Sequence, residues 1–274
     1  MRFAAMNFHY VRHTLLSFLD DAVACGFRDV ELWAASPHFN IDDINFSMVR
    51  HLRRELVARE LTLCCITPEQ CVYPISLSIQ DKTMRRRSME YFKRTIDIAS
   101  ALSCPMVLVT PGYGYFDRPH DEAWKLCTES LSELASYAED AGVVLPLECL
   151  LSTTSNVLNR CDELAKMLQQ INSPTLVSVI DFNQMADTGE SVKDYCNALG
   201  DSLRHVHFID GMPNGHLALG DGGLPLDRYV QELKDAGYDG ISSLEICDRR
   251  YYHEPRKALE RCVAWLRTRG LMSL

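Results

Sequence analysis

Apolar positions along the chain follow two alternating rhythms. Short runs of β-branched and other apolar residues, the mark of buried strands, are separated by longer stretches in which apolar positions recur every three or four residues, as on an amphipathic helix. The strand-like runs are Phe3–Phe8, Asp29–Trp33, Leu61–Thr67, Pro105–Thr110, Val143–Leu147, Leu176–Ile180, Leu203–Ile209 and Gly240–Glu245. Helix-like stretches between them include His13–Cys25, Met48–Glu60, Met84–Leu102, Trp124–Ala141 and Leu226–Ala236, and a last helix begins near Pro255 and closes at Gly270. That final placement has proline early and glycine late, as helix ends prefer. Eight strands alternating with helices predict a parallel sheet closed as one (β/α)8 TIM barrel, a single domain over residues 1–274. A doubly wound open sheet is the alternative. It would carry a glycine-rich turn after the first strand, and Phe8-His9-Tyr10 is not one. An internal echo favours the barrel: Cys25-Gly26…Glu31, Ala141-Gly142…Glu148 and Ala236-Gly237…Glu245 each end a helix and lead into a strand bearing a glutamate. Glycine is expected to stop each of these helices in the left-handed conformation.

Composition narrows the class. Of 274 residues, 47% are hydrophobic and 24% charged, which excludes disordered, collagen-like and fibrous proteins. A formal charge of -9 argues against a nucleic-acid partner, because phosphate binding needs a basic face. No apolar run reaches the roughly 20 residues of a membrane span, and the opening MRFAAMNFHYVRH is too poor for a signal-peptide core. A cytoplasmic protein with no membrane partner is expected. The 11 cysteines are scattered and form no C-x-x-C pair, and Cys64, Cys65, Cys104, Cys149 and Cys247 lie in or beside apolar runs. Reduced, buried thiols fit this pattern better than disulfides or a zinc knuckle.

In a barrel of this kind the chemistry lies at the C-terminal ends of the strands. Those positions in the second half of the chain hold Glu148 after VVLPL, Asp181 after LVSVI, His207 within LRHVHFID and Glu245 after GISSL. A carboxylate directly after an apolar strand is costly unless a metal or hydrogen bonds compensate it. The spacings of 33, 26 and 38 residues are each about one βα unit, so the four side chains are expected in one mouth, on consecutive strands. His205 lies two residues before His207, on the same strand face but deeper. Three carboxylates and one imidazole form a hard, oxygen-rich donor set. It suits one divalent ion, Mn2+, Co2+ or Mg2+ with Zn2+ as a further candidate, and leaves positions open for substrate oxygens.

The quartet Glu148, Asp181, His207 and Glu245 resembles the metal site of the sugar isomerase/epimerase superfamily with the xylose-isomerase-like barrel. Shorter motifs resemble its fructoselysine 3-epimerase branch: Ser36-Pro37-His38, Thr67-Pro68-Glu69 followed by Tyr73-Pro74, Met84-Arg85-Arg86, Ser155-Asn156 and Glu254-Pro255-Arg256. They span nearly the whole chain. The resemblance implies a metal-dependent epimerase or isomerase, with C3 epimerisation of a ketose or substituted ketose through a cis-enediolate. It makes Glu148 and Glu245 the acid/base pair as well as ligands, on opposite sides of the sugar, and Asp181 and His207 purely ligands. It also implies substrate contacts for His38, Glu69 and His216. Position alone adds His9, at the end of the first strand, as a substrate contact from the barrel mouth, and Glu31, near a strand terminus, as a partner of sugar hydroxyls or of a histidine behind the ligands. The partner is then a small-molecule sugar, and because related barrels form dimers or tetramers a homo-oligomer stays open. An inosose dehydratase-like lyase using the same metal and glutamates is the alternative activity. An apurinic endonuclease fits less well, since it needs more metal ligands and a basic groove.

Three positions depart from the family pattern. Thr154, Gln184 and Pro213 stand where a glutamate, a histidine and an arginine are expected, and all three would touch the substrate rather than the metal. Around them the loops offer Tyr73, Tyr113, Tyr115, Tyr251 and Tyr252 with Glu69, Asp210 and Asp221. That surface suits a sugar with a bulky or cationic substituent better than an anionic sugar phosphate.

Overall fold

The alternation of strand-like and helix-like segments becomes a curled parallel sheet wrapped by helices. The computed structural model describes residues 1–70, 75–212 and 215–273. The regular strands are β1 (Arg2–Met6), β2 (Asp29–Ala34), β3 (Thr62–Pro68), β4 (Leu145–Leu147), β5 (Leu176–Asp181), β6 (Leu203–His207) and β7 (Ile241–Leu244). They lie in the order β3-β2-β1-β7-β6-β5-β4 and pair in parallel throughout. The expected strand over 105–110 closes the ring without forming a regular ladder. Ile66 N–H donates to the Met106 carbonyl and Leu108 N–H to that of Ile66, on the β3 side. On the β4 side Val107, Val109 and Glu148 exchange bonds with Val144, Pro146 and Val109. Pro105 and Pro146 each lack an N–H, so the segment makes isolated bridges at Met106, Val107 and Val109 instead.

Around the ring run α1 (Leu15–Ala24), α2 (Phe46–Ala58), α3 (Lys82–Leu102), α4 (His120–Ala141), α5 (Cys161–Ile171), α6 (Phe182–Asp187), α7 (Val192–Leu199), α8 (Leu226–Asp235) and α9 (Pro255–Thr268). Side-chain acceptors start several of them: Thr14 caps α1, Asn45 α2 and Asp81 α3. Gly26, Gly142 and Gly237, which end the three echoed helices, have φ of +90°, +69° and +72°. Two sequence expectations shift at their edges. β1 stops at Met6 and residues 8–10 turn into a 3-10 helix, so His9 is not on the strand. Helix starts move by up to four residues, as with α4, which begins at His120 directly after Pro119, because periodicity does not fix the terminal residues of a helix.

Alternate strand residues face opposite ways. Ala5, Val30, Leu32, Ile66, Ile180, Val206 and Leu244 pack outward on Phe18, Leu52, Phe92, Leu131, Leu164, Tyr195, Leu233 and Leu259 of the helices. A smaller cluster of Ala4, Cys64, Cys65, Met106, Leu108, Val179 and Ile241 fills the barrel interior. The cysteines behave as core hydrophobes: eight of the ten described are buried and none is in a disulfide, while Cys71 lies outside the described residues. None of the described helices is long and apolar enough to cross a membrane.

Candidate metal centre

Consecutive strands deliver the four expected ligands to one place. Glu148 continues β4, its N–H still bonded to the Val109 carbonyl at 3.0 Å. Asp181 ends β5 and also caps α6: its Oδ1 accepts from the Gln184 N–H at 2.9 Å, which leaves Oδ2 turned to the site. His207 ends β6, and Glu245 follows Leu244, the last residue of β7. From His207 Nδ1 the distances are 3.2 Å to Glu148 Oε1, 3.1 Å to Glu245 Oε2 and 3.6 Å to Asp181 Oδ2. One ligand atom from each of the four lies within 4.8 Å of all the others.

His216 joins this cluster from the loop after β6. An antiparallel bridge between Asp210 and Leu217 folds the loop back, and His216 Nε2 comes within 3.2 Å of both Asp181 Oδ2 and Glu245 Oε2. Glu245 and His216, with side chains 15% and 19% exposed, are the most open members of the cluster. Burial pushes the Glu148 carboxyl up to about 7. Burial also acts on Asp181 and Glu245, but the neighbouring histidine charges outweigh it and hold both below the usual carboxylate range. The same attraction overrides burial in His207 and His216 and raises both imidazoles well above their ordinary value. Three carboxylates thus converge where desolvation and mutual repulsion oppose their charge. A hard cation would relieve both, so the donor set fits a divalent ion.

Glu31 lies beneath the cluster rather than at the substrate face. It has no exposed surface; its Oε2 is 2.7 Å from His205 Nε2, and its Oε1 is 3.2 Å from His207 Nε2 and accepts the Thr67 hydroxyl. With no exposed surface and both oxygens paired inside the barrel, it faces the histidines rather than the mouth. His38 is also committed: its Nδ1 accepts from Asn7 Nδ2 at 2.8 Å and its Nε2–H donates to the His13 carbonyl at 2.8 Å. His9 is fully buried edge-on to Tyr10, and burial outweighs the backbone contacts of Pro255 and Ile246 and pushes its imidazole down to about 3. Glu69, half-buried after β3, accepts from Trp33 Nε1 at 3.3 Å.

The loop surface read as substrate-facing is smaller than the sequence suggests. Asp210 accepts four backbone N–H groups, from Gly211, Gly220, Gly222 and Leu224. Asp221 accepts from Tyr251 and Arg261. These groups hold the loop together, an inward role that residue type alone does not reveal. Tyr113 and the exposed Tyr115 stay on a surface loop whose Gly114 N–H donates to Asn156 Oδ1 at 2.8 Å. Thr154 is half-buried, and the buried Gln184 Oε1 has no partner among the described residues. Tyr73, Pro74 and Pro213 lie outside the described residues. The sequence placed His205 deeper than His207 and offered Glu31 a histidine partner; it did not show that Glu31 joins both histidines, or that His216 reaches Asp181 and Glu245.

Comparisons with known proteins agree with this architecture. Residues 19–269 match the family model described as xylose isomerase-like TIM barrel. Fructoselysine 3-epimerase of Shigella flexneri is 32% identical over 252 residues, covering 90% of this chain and 91% of the relative. Among solved structures, D-psicose 3-epimerase of Clostridium cellulolyticum H10 superposes with a TM-score of 0.81 at 17% identity, covering 100% of both chains. The 3-keto-D-glucoside 4-epimerase of E. coli gives 0.82 at 18% identity, covering 98% of this chain and 99% of the other. The chain belongs to the xylose isomerase-like TIM barrel family and is an enzyme of the isomerase type.

Proposed function

We propose that this enzyme is a divalent-metal-dependent ketose 3-epimerase whose substrate is a substituted ketose of the fructoselysine kind. The observation that carries the reading is the placement of Glu148 and Glu245. They come from β4 and the end of β7, two strands with β5 and β6 between them, yet both reach His207 Nδ1, at 3.2 and 3.1 Å. Carboxylates converging from separated strands flank whatever lies over the quartet, which is what proton removal on one face and return on the other require. Glu148, Asp181, His207 and Glu245 would hold the ion, Mn2+, Co2+ or Mg2+, with Zn2+ a further candidate. Bound there, it would supply Lewis acidity toward a ketose carbonyl and the adjacent hydroxyl. One glutamate carboxylate takes the C3 proton, and the other delivers a proton to the opposite face. Asp181, its Oδ1 pinned by the α6 cap, stays a fixed anion beside them. The relative 32% identical over most of the chain supports the substituted substrate, as do the neutral Thr154 and Gln184 where a free-hexose site would place charged partners.

The test is NMR of the metal-loaded enzyme in heavy water with fructoselysine, fructose and psicose. Deuterium should enter at C3 without loss of water, and fructoselysine should show the higher kcat/KM. Equal or better efficiency on the free hexoses, or a preference for phosphorylated ones, overturns the substrate assignment. Loss of water makes the enzyme a lyase.

A further inference from the structure

We infer that Glu31 is a positioning residue that fixes the ring of His207 so that Nδ1, and not Nε2, faces the metal. The inference rests on the quartet being the metal site. His207 is wholly buried with acceptors on both edges: three carboxylates of the quartet around Nδ1, and Glu31 Oε1 at 3.2 Å from Nε2. An imidazole that donates Nε2–H to a carboxylate has its Nδ1 lone pair free to bind a cation, and such a partner fixes both tautomer and ring angle. Glu31 is itself held from two further sides, by His205 Nε2 at 2.7 Å and by the Thr67 hydroxyl.

The barrel is irregular where this layer is built. The β2–β3 register shifts between Val30 and Glu31, and the β5–β6 register shifts so that Val179 opposes His205. Bulges of this kind re-aim side chains near sites. Cys65, Glu31 and His205 also lie close enough together to be considered as ligands of a second ion. Both Glu31 oxygens, however, are already paired, with His205, His207 and the Thr67 hydroxyl, and burial raises the Cys65 thiol well above its ordinary value. The lower layer is a hydrogen-bonded support for the upper one.

The test begins with metal-free protein titrated with Mn2+. Glu31→Leu, which removes both acceptor oxygens, should bind Mn2+ about 10–100-fold more weakly than the parent. Glu31→Gln keeps an acceptor for one of the two rings and should lose less. A folded Glu31→Leu with parental affinity overturns the inference. A second measurement needs no variant: in parent protein carrying 15N-histidine and loaded with Zn2+, Nδ1 of His207 should show the metal shift while Nε2 keeps its proton. Metal at Nε2 overturns the inference even if the Leu variant fails to fold. If His207→Ala binds Mn2+ as tightly as the parent, the quartet itself is wrong, and the role of Glu31 falls with it.

Discussion

His207 has no exposed surface, yet four carboxylates reach its ring, three at one nitrogen and one at the other. A buried imidazole so surrounded cannot be replaced by a smaller group without leaving anions unpaired. The two glutamates differ in kind: Glu148 is buried and Glu245 opens toward solvent. Glu148→Gln and Glu245→Gln should each lower turnover by about 10²–10⁴-fold, the usual contribution of positioned proton transfer. Metal content must be measured in the same samples, because both are also proposed ligands. A Glu245→Gln enzyme with bound metal and near-parental turnover removes that residue from proton transfer. The distinction between Glu31 and its echoes is also made at this scale. Glu31 is the third residue of β2, whereas Glu245 follows the last residue of β7, so the same type of residue ends up one layer deeper.

Among the elements, the segment between β6 and α8 decides where His216 goes. The Asp210 carboxylate gathers four backbone N–H groups of this segment. Gly222 passes so close that an added Cβ would meet Asp210 Oδ1 at 2.3 Å and the Gly211 carbonyl at 2.4 Å. Gly222→Ala should therefore destabilise the protein by about 1–3 kcal/mol, as overpacking does. It should also speed proteolysis within residues 211–224. An unchanged urea midpoint together with an unchanged cleavage pattern shows that the loop is not held this way.

For the molecule as a whole, the site ties together β4, β5, β6 and β7, half of the ring. An ion bound there in the folded state and not in the unfolded chain stabilises by about 2.7 kcal/mol at 100 times its Kd. Calorimetry should show Tm rising with Mn2+, returning on chelation, and no longer responding in His207→Ala. A Tm indifferent to divalent ions in the parent argues against the quartet as a metal site.

The alternating apolar rhythm was enough to read the barrel, because burial on both sheet faces and on one helix face leaves a periodicity that chain order preserves. The quartet was legible for a related reason: a carboxylate at the end of an apolar strand stands out against its neighbours, and three of them with one histidine, each about one βα unit apart, share a mouth by topology. The depth of His205 was legible from strand alternation; the partners of each buried side chain were not. That Glu31 supports His207 from below, that His38 spends both nitrogens on Asn7 and His13, and that Asp210 and Asp221 face into their own loop depend on contacts between segments up to 176 residues apart. Such contacts leave no spacing in the chain. They are decided by strand register and bulges, by the cap that turns Asp181, and by a loop folding back over the mouth, which exist only once the barrel has closed.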